Sequence, residues 1–325
     1  MKKSQPLKIV INIIKIGLGL LLLYLSFRRV DWPVFLQSVS AVSPGWLALA
    51  VLSILVSLGL KVWRWKLMLA FYQIKLPNLR LIGAFFLGQA ANTLLVIRGG
   101  EVVRLATAHQ AEKDDWLEIT STIVIEKYLD LVFLVILMMA ISTNLPPIAM
   151  EKLGSLQPVM ISITVLLFVL VLFGPLLWMR YSPGFRPTGW LLNVQRKLDQ
   201  FVQASLWLRD PKKLLPSLAI TAIIWLVMML TNKLVFLALS LSLGWDAAIL
   251  VLVLIYIGVL PALMPGNVGP FTYFAQLALL PFAVSSDAAL AFAVILYVIV
   301  TLPPLLISGI VMLLPAKLGL KNSYE

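Results

Sequence analysis

At 325 residues, 61% of them hydrophobic and only 12% charged, with a mean hydropathy of +0.99, the chain is unlike soluble domains, which are roughly half apolar and about a quarter charged. A net charge of +12 would suggest nucleic acid in a soluble protein; here it fits basic loops against anionic lipid headgroups, and no nucleic-acid partner is expected. There is no cysteine and a single histidine, His109, which excludes a disulfide framework, a thiol nucleophile and a multi-histidine metal site. No metal or cofactor is expected.

The start, "MKKSQPLK" before "IVINIIKIGLGLLLLYLSF", resembles a signal peptide, but the apolar run is long and no small-x-small cleavage site follows. It reads as a retained first helix. A spanning helix needs about 20 apolar residues, and such runs fall at roughly 9–27, 45–62, 119–142, 157–179, 214–239 and 288–314. Between 45–62 and the next element lies "VWRWKLM", where Trp63 and Trp65 beside Arg64 and Lys66 read as an aromatic and basic interfacial anchor. Two further apolar regions are broken, 81–108 near "IRGGE" and 247–283 at "LMPGNVGPF". The linker 180–213 carries apolar residues at helical spacing with Arg196, Lys197 and Gln200 between them. It reads as an amphipathic helix on the cytoplasmic leaflet or a solvated helix packed on the bundle.

Basic residues set the orientation. Lys2, Lys3 and Lys8, the stretch from Lys61 to Arg80, the linker 180–213, and Lys317 with Lys321 all belong in the cytoplasm by the positive-inside rule. If 81–97 crossed fully, every later helix would invert and the basic linker would lie outside. The charges therefore favour a re-entrant hairpin for 81–108 that opens from the cytoplasm. The segment 247–283 then starts and finishes outside. Interrupted segments in two halves of opposite topology mark the substrate site of inverted-repeat transporters. The expected fold is an all-α polytopic transmembrane bundle with two broken or re-entrant hairpins. It forms a single membrane domain over 1–325, with halves 1–155 and 214–325 joined by the linker 180–213. Both termini are expected in the cytoplasm, the membrane being the cytoplasmic (inner) one.

Charges inside a bilayer are costly and usually paired. In "IVIEKYLDLV", Glu126 and Asp130 are four apart and share a helix face, with Lys127 beside them. Lys233 is the expected partner for one of these carboxylates, and the four residues are the expected polar path. In "NTLLVIRGGEVVR", Arg98 and Arg104 offer planar forks suited to phosphate. Gly99 and Gly100 let the backbone turn and present N–H groups to an anion. With Asn92 and Glu101 they make the expected headgroup site; the alternative is an interfacial loop with snorkelling arginines. Pro265, Gly266, Asn267, Gly269 and Pro270 break the late segment and form the expected gate. His109 and Asp114 have the H-x4-D spacing that some acyltransferases use, but they sit in a solvated acidic stretch. No catalytic residue is assigned.

At "KVWRWKLML" (61–69), "GQAANTLLVIRGGEVVRL" (88–105), "IEKYLDLVFL" (125–134) and "LPALMPGNVG" (260–269) the chain resembles the lysylphosphatidylglycerol synthase transmembrane region, a flippase-like family. The family pattern has a proline before the arginine of N-x-L-L-P-x-R-x-G-E, where Val96 stands here. It runs P-G-G-x-G-x-x-E late in the chain, where Asn267 and Thr272 replace the second glycine and the glutamate. The resemblance implies a stand-alone member without the aminoacyltransferase domain, which handles a polar lipid and does not synthesise one. The expected role is binding and translocating an anionic or isoprenoid phospholipid. The rival readings are a membrane transferase acting on a lipid-linked substrate, and a non-catalytic partner of a separate lipid-modifying enzyme.

Overall fold

The computed structural model describes residues 5–28, 30–95, 99–109, 115–143, 157–181, 192, 195–196, 199 and 210–313. Among these residues the protein is all-α, with eleven longer helices and no strand. In chain order they are α1 (Gln5–Phe27), α2 (Trp32–Ser40), α3 (Pro44–Phe71), α4 (Asn78–Leu94), α5 (Gly100–Ala108), α6 (Trp116–Thr143), α7 (Gln157–Tyr181), α8 (Pro211–Ala238), α9 (Trp245–Val259), α10 (Val268–Leu279) and α11 (Ser286–Met312). Each of the six long apolar runs forms a helix. Among the described residues three of them, α3, α8 and α11, are long and apolar enough to cross a membrane by length and composition.

Helix α3 runs to Phe71, well past the end of its apolar run near residue 62. The reason is local: "KVWRWKLMLAF" contains no proline or glycine to stop it. Hydropathy does not single out α2. It forms because Asp31 caps its first turn, accepting from the Val34 N–H, with a proline at the start. None of its residues is buried, and Trp32 and Leu36 are exposed, the pattern of a helix lying along an interface.

Hydrogen bonds define two ends of the bundle. At one, here the far end, the Ser43 N–H donates to the Ala238 carbonyl at 2.9 Å and the Asp31 N–H to the Asp287 carboxylate at 2.8 Å. At the other, the near end, the Lys66 ammonium donates to Asn78 at 2.8 Å. There Arg80 also donates to the Thr107 and His109 carbonyls at 3.0 and 2.9 Å. Arg80 thereby caps the C-terminal carbonyls of α5 and ties the root of α4 to the end of α5.

That tie makes α4 and α5 a hairpin open at the near end. The nine residues of α5 rise about 13 Å, less than half of the roughly 30 Å of a hydrocarbon core, so α5 does not cross. The arms approach closely because both contacts are glycine: a Cβ on Gly100 would collide with the Gly88 carbonyl and the Asn92 side chain. Helices α9 and α10 form the second broken pair, open at the far end between α8 and α11. The tips of the two hairpins meet inside the bundle. Gly266 lies between the Thr93 carbonyl at the end of α4 and the Tyr297 hydroxyl of α11, and that hydroxyl donates to the Gly266 carbonyl at 3.0 Å.

The main core lies beneath α8 to α11 and is rich in buried alanines, Ala247, Ala248, Ala275, Ala278, Ala289 and Ala293. Small residues let helix backbones approach where lipid supplies no hydrophobic drive between helices. Across the α3–α8 contact, Ser53 and Thr231 share a hydrogen bond of 2.7 Å. The structure describes few residues of the 180–213 linker, so its expected amphipathic helix lies outside the described residues.

Candidate functional site

Three helices bring charge into the apolar interior. Helix α3 supplies Arg64, seven residues before its end, and α6 supplies Glu126 and Asp130 from one face. Helix α5 supplies Arg104. The Arg64 guanidinium has no exposed surface and grips Asp130 with both forks, Nη1 to Oδ1 at 2.7 Å and Nη2 to Oδ2 at 3.1 Å. Its Nη1 also donates to the Thr221 hydroxyl of α8 at 3.0 Å, and its Nη2 lies 3.4 Å from a Glu126 oxygen. The other Glu126 oxygen accepts from Arg104 Nη2 at 2.7 Å. The charges therefore alternate, Arg104, Glu126, Arg64, Asp130, and the row is neutral. Alternation is what a low-dielectric interior demands, since an unpaired buried charge is far more costly than a paired one.

Trp65 is the platform beneath this row. The Arg104 guanidinium lies 3.8 Å above its ring centroid, a cation–π geometry, and the indole N–H is fixed by the Thr122 hydroxyl at 3.0 Å. Arg64 and Trp65 are both core residues, which corrects their reading as an interfacial anchor; only Trp63 and Lys66 of that group are exposed. The sequence-based reading missed Arg64 because it ended the helix near residue 62. The run without proline or glycine as far as Leu76 was the available signal. One atom of each arginine, Arg64 Nε and Arg104 Nε, is buried without a hydrogen-bond partner.

A second, more open group sits where α4 gives way to α5. Asn92 accepts the Gly100 N–H at 2.9 Å, so a side chain from α4 satisfies the first free donor of α5. The Asn92 amide also donates to Glu101 at 3.3 Å, and Glu101 pairs with Lys127 of α6 at 3.3 Å. Both side chains of that pair are partly open, 35% and 56% exposed, unlike the closed row below it. Asn92, Gly100, Glu101, Arg104, Glu126, Lys127 and Asp130 are thus assembled around the junction of the hairpin with α6. Gly99 adjoins them at the start of α5. Arg98 lies outside the described residues, as does Val96.

Lys233 does not join this group. Its ammonium donates to the Leu243 carbonyl at the far end, and its neighbour Asn232 donates to the Ala248 carbonyl at 3.0 Å. Thr221, the α8 residue at Arg64, is twelve positions earlier on the same helix, about 18 Å along the axis, which no lysine side chain can span. His109 pairs with Asp115 at 2.6 Å and stacks on Trp116 at 4.0 Å. Its partner is therefore Asp115, and Asp114 lies outside the described residues.

The late break is a 3₁₀ turn, Pro265–Asn267, with Gly266 at φ +65° and Asn267 at φ +48°. Asn267 holds the turn by accepting the Leu263 N–H at 3.1 Å. Gly269 lies against the α1 backbone at Gly19, and Pro270 is buried in the first turn of α10. The profile of the family described as the lysylphosphatidylglycerol synthase TM region matches residues 12–309.

The chain belongs to this family. No curated protein matches it significantly. The structure explains one departure from the family pattern given above. Asn267 replaces a glycine at a left-handed position, and asparagine is among the few residues that tolerate that region. Thr272, in place of the glutamate, is buried. Its hydroxyl donates to the Val268 carbonyl at 2.8 Å and faces Ser26 of α1 at 3.3 Å, so the second hairpin presents no carboxylate there. Family and helices together make this an integral membrane protein with a lipid-related role.

Proposed function

We propose that the protein binds a polar, phosphate-bearing lipid and moves its headgroup across the inner membrane, with both chain termini in the cytoplasm and the near end facing it. The headgroup enters at the α4–α5 turn. Arg98 and the Gly99 N–H take the phosphate, Gly100 allows the close turn with its N–H held by Asn92, and Glu101 and Lys127 line its open side. Arg104, held by Glu126, is the next donor. The path then follows Glu126 and Asp130, and the turn from Pro265 to Pro270 acts as the opposing gate between halves 1–155 and 214–325.

The observation that supports this best is the meeting of two broken hairpins, open at opposite ends, beside an intramembrane row of charges. Interrupted backbone at membrane depth is tolerated where it is buried in protein or lines a cavity, and in transporters such breaks flank the substrate. The test is the binding of dioctanoyl phosphatidylglycerol to the full chain in maltoside micelles, read by native mass spectrometry. Arg98→Ala is expected to remove headgroup binding while leaving the protein monodisperse. Undiminished binding by that variant would overturn the assignment.

A further inference from the structure

The charges around the site do not sum to zero. The described cations are Lys61, Arg64, Arg104 and Lys127; the carboxylates are Glu101, Glu126 and Asp130. Four positive against three negative charges leave one cation over. Arg104, Glu126, Arg64 and Asp130 form the paired row, and Glu101 pairs with Lys127. The residue left over is Lys61.

Lys61 stands one turn from Arg64 on the same face of α3, toward the far end. Its ammonium makes no ion pair or hydrogen bond among the described residues. Asp130 and Glu126 are the carboxylates within electrostatic reach of it, and Arg64 and Lys127 the cations. It is only partly buried, as is Asp130, whose side chain is 24% exposed, whereas Arg64 between them is closed. The row therefore opens on the Lys61 side. Two more donors at this level lack a good acceptor. Arg64 Nε is buried without a partner. The Tyr256 hydroxyl of α9 lies in the field of Asp130 and Arg64, and the one acceptor it reaches among the described residues is the Met228 thioether, at 3.6 Å, a weak acceptor. Donors without acceptors, and a cation without a counter-charge inside a membrane protein, are both satisfied by an oxyanion.

We propose that Lys61, with the Tyr256 hydroxyl, forms an inner oxyanion subsite beside the Arg64–Asp130 pair that takes a phosphate group one step deeper than the α4–α5 turn. This rests on the lipid-handling reading above, and it adds a second station to that path. Tyr256 belongs to the first arm of the second broken hairpin, so a phosphate held here touches both halves of the molecule. Lys61 pairs with nothing among the described residues, so its removal leaves the fold intact; Lys61→Met also keeps the apolar stem.

The experiment titrates the full chain in maltoside micelles, separately with dioctanoyl phosphatidylglycerol and with inorganic phosphate, for wild type, Lys61→Met, Lys61→Arg and Tyr256→Phe. Lys61→Met is expected to weaken one binding event about tenfold or more, as loss of a charge-assisted hydrogen bond does. Lys61→Arg is expected to restore it, and Tyr256→Phe to weaken it severalfold. Phosphatidylglycerol binding equal to wild type in Lys61→Met overturns the subsite and leaves the lipid reading standing. Inorganic phosphate bound through Lys61 without lipid binding supports the subsite and overturns the lipid reading. Binding of neither probe to wild type overturns both.

Discussion

The Arg104–Glu126 contact joins the α4–α5 hairpin to the rest of the bundle, and its strength can be measured. Both side chains are buried, 7% and 5% exposed, at 2.7 Å. Among the described residues Arg104 has no other carboxylate, whereas Glu126 is shared with Arg64 at 3.4 Å. Glu126→Gln keeps an acceptor for Arg104 but turns the neutral row into one with net charge +1. Breaking one partner of a buried pair costs about 3–5 kcal/mol; the retained amide acceptor places this variant near the lower end. Arg104→Met leaves Glu126 with Arg64 alone and loses the stacking on Trp65, which adds roughly 1–2 kcal/mol. The pair variant Arg104→Met with Glu126→Gln removes both charges together. Its loss is expected to fall short of the sum of the singles by about 1.5–3 kcal/mol, the value of a hydrogen bond to a charged group. The assay is denaturant unfolding of purified protein in micelles, followed by tryptophan fluorescence. Additive losses within about 0.5 kcal/mol would refute the coupling, and with it the role of Glu126 as the tie between hairpin and bundle.

Other outcomes follow from the same geometry. Arg64→Lys keeps the charge but cannot hold both Asp130 oxygens and Thr221 at once; a loss of about 2 kcal/mol or more is expected in the same unfolding assay, and wild-type stability would contradict the bidentate geometry. Asn267→Gly is expected to lose only the hydrogen bond to the Leu263 N–H, about 1 kcal/mol, while Asn267→Val, β-branched at φ +48°, is expected to lose that bond and about 1–2 kcal/mol more. Equal stability of those two variants would contradict the left-handed turn.

Hydropathy made the long helices legible, because burial in lipid is averaged over some twenty residues and tolerates local error. The two broken hairpins were legible from loop charge, since a full crossing at 81–108 would have put the basic linker on the wrong side. The partners of the intramembrane charges were not. Glu126 and Asp130 stand out as carboxylates in an apolar helix, but their counter-ions come from α3 and α5, and sequence spacing within α6 says nothing of which neighbour faces it. Lys233 is conspicuous in an apolar helix and yet sits about 18 Å from the level of Arg64. Arg64 was hidden among tryptophans and lysines at the end of an apolar run, where a snorkelling anchor and a buried ion-pair residue look the same. Only the continuation of α3 to Phe71 separates them. Helix α2 was invisible because its nine residues fall far short of the apolar run of about twenty that marks a spanning helix.

The central claim, movement of a phosphate-bearing headgroup across the bilayer, is tested most directly by reconstituting the purified chain into liposomes with a fluorescent short-chain phosphatidylglycerol and following its transfer between leaflets by dithionite quenching. Protein-dependent transfer is expected, falling to the protein-free rate in Arg98→Ala and reduced in Lys61→Met. Transfer no faster than in empty liposomes, or transfer unaffected by Arg98→Ala, would contradict it.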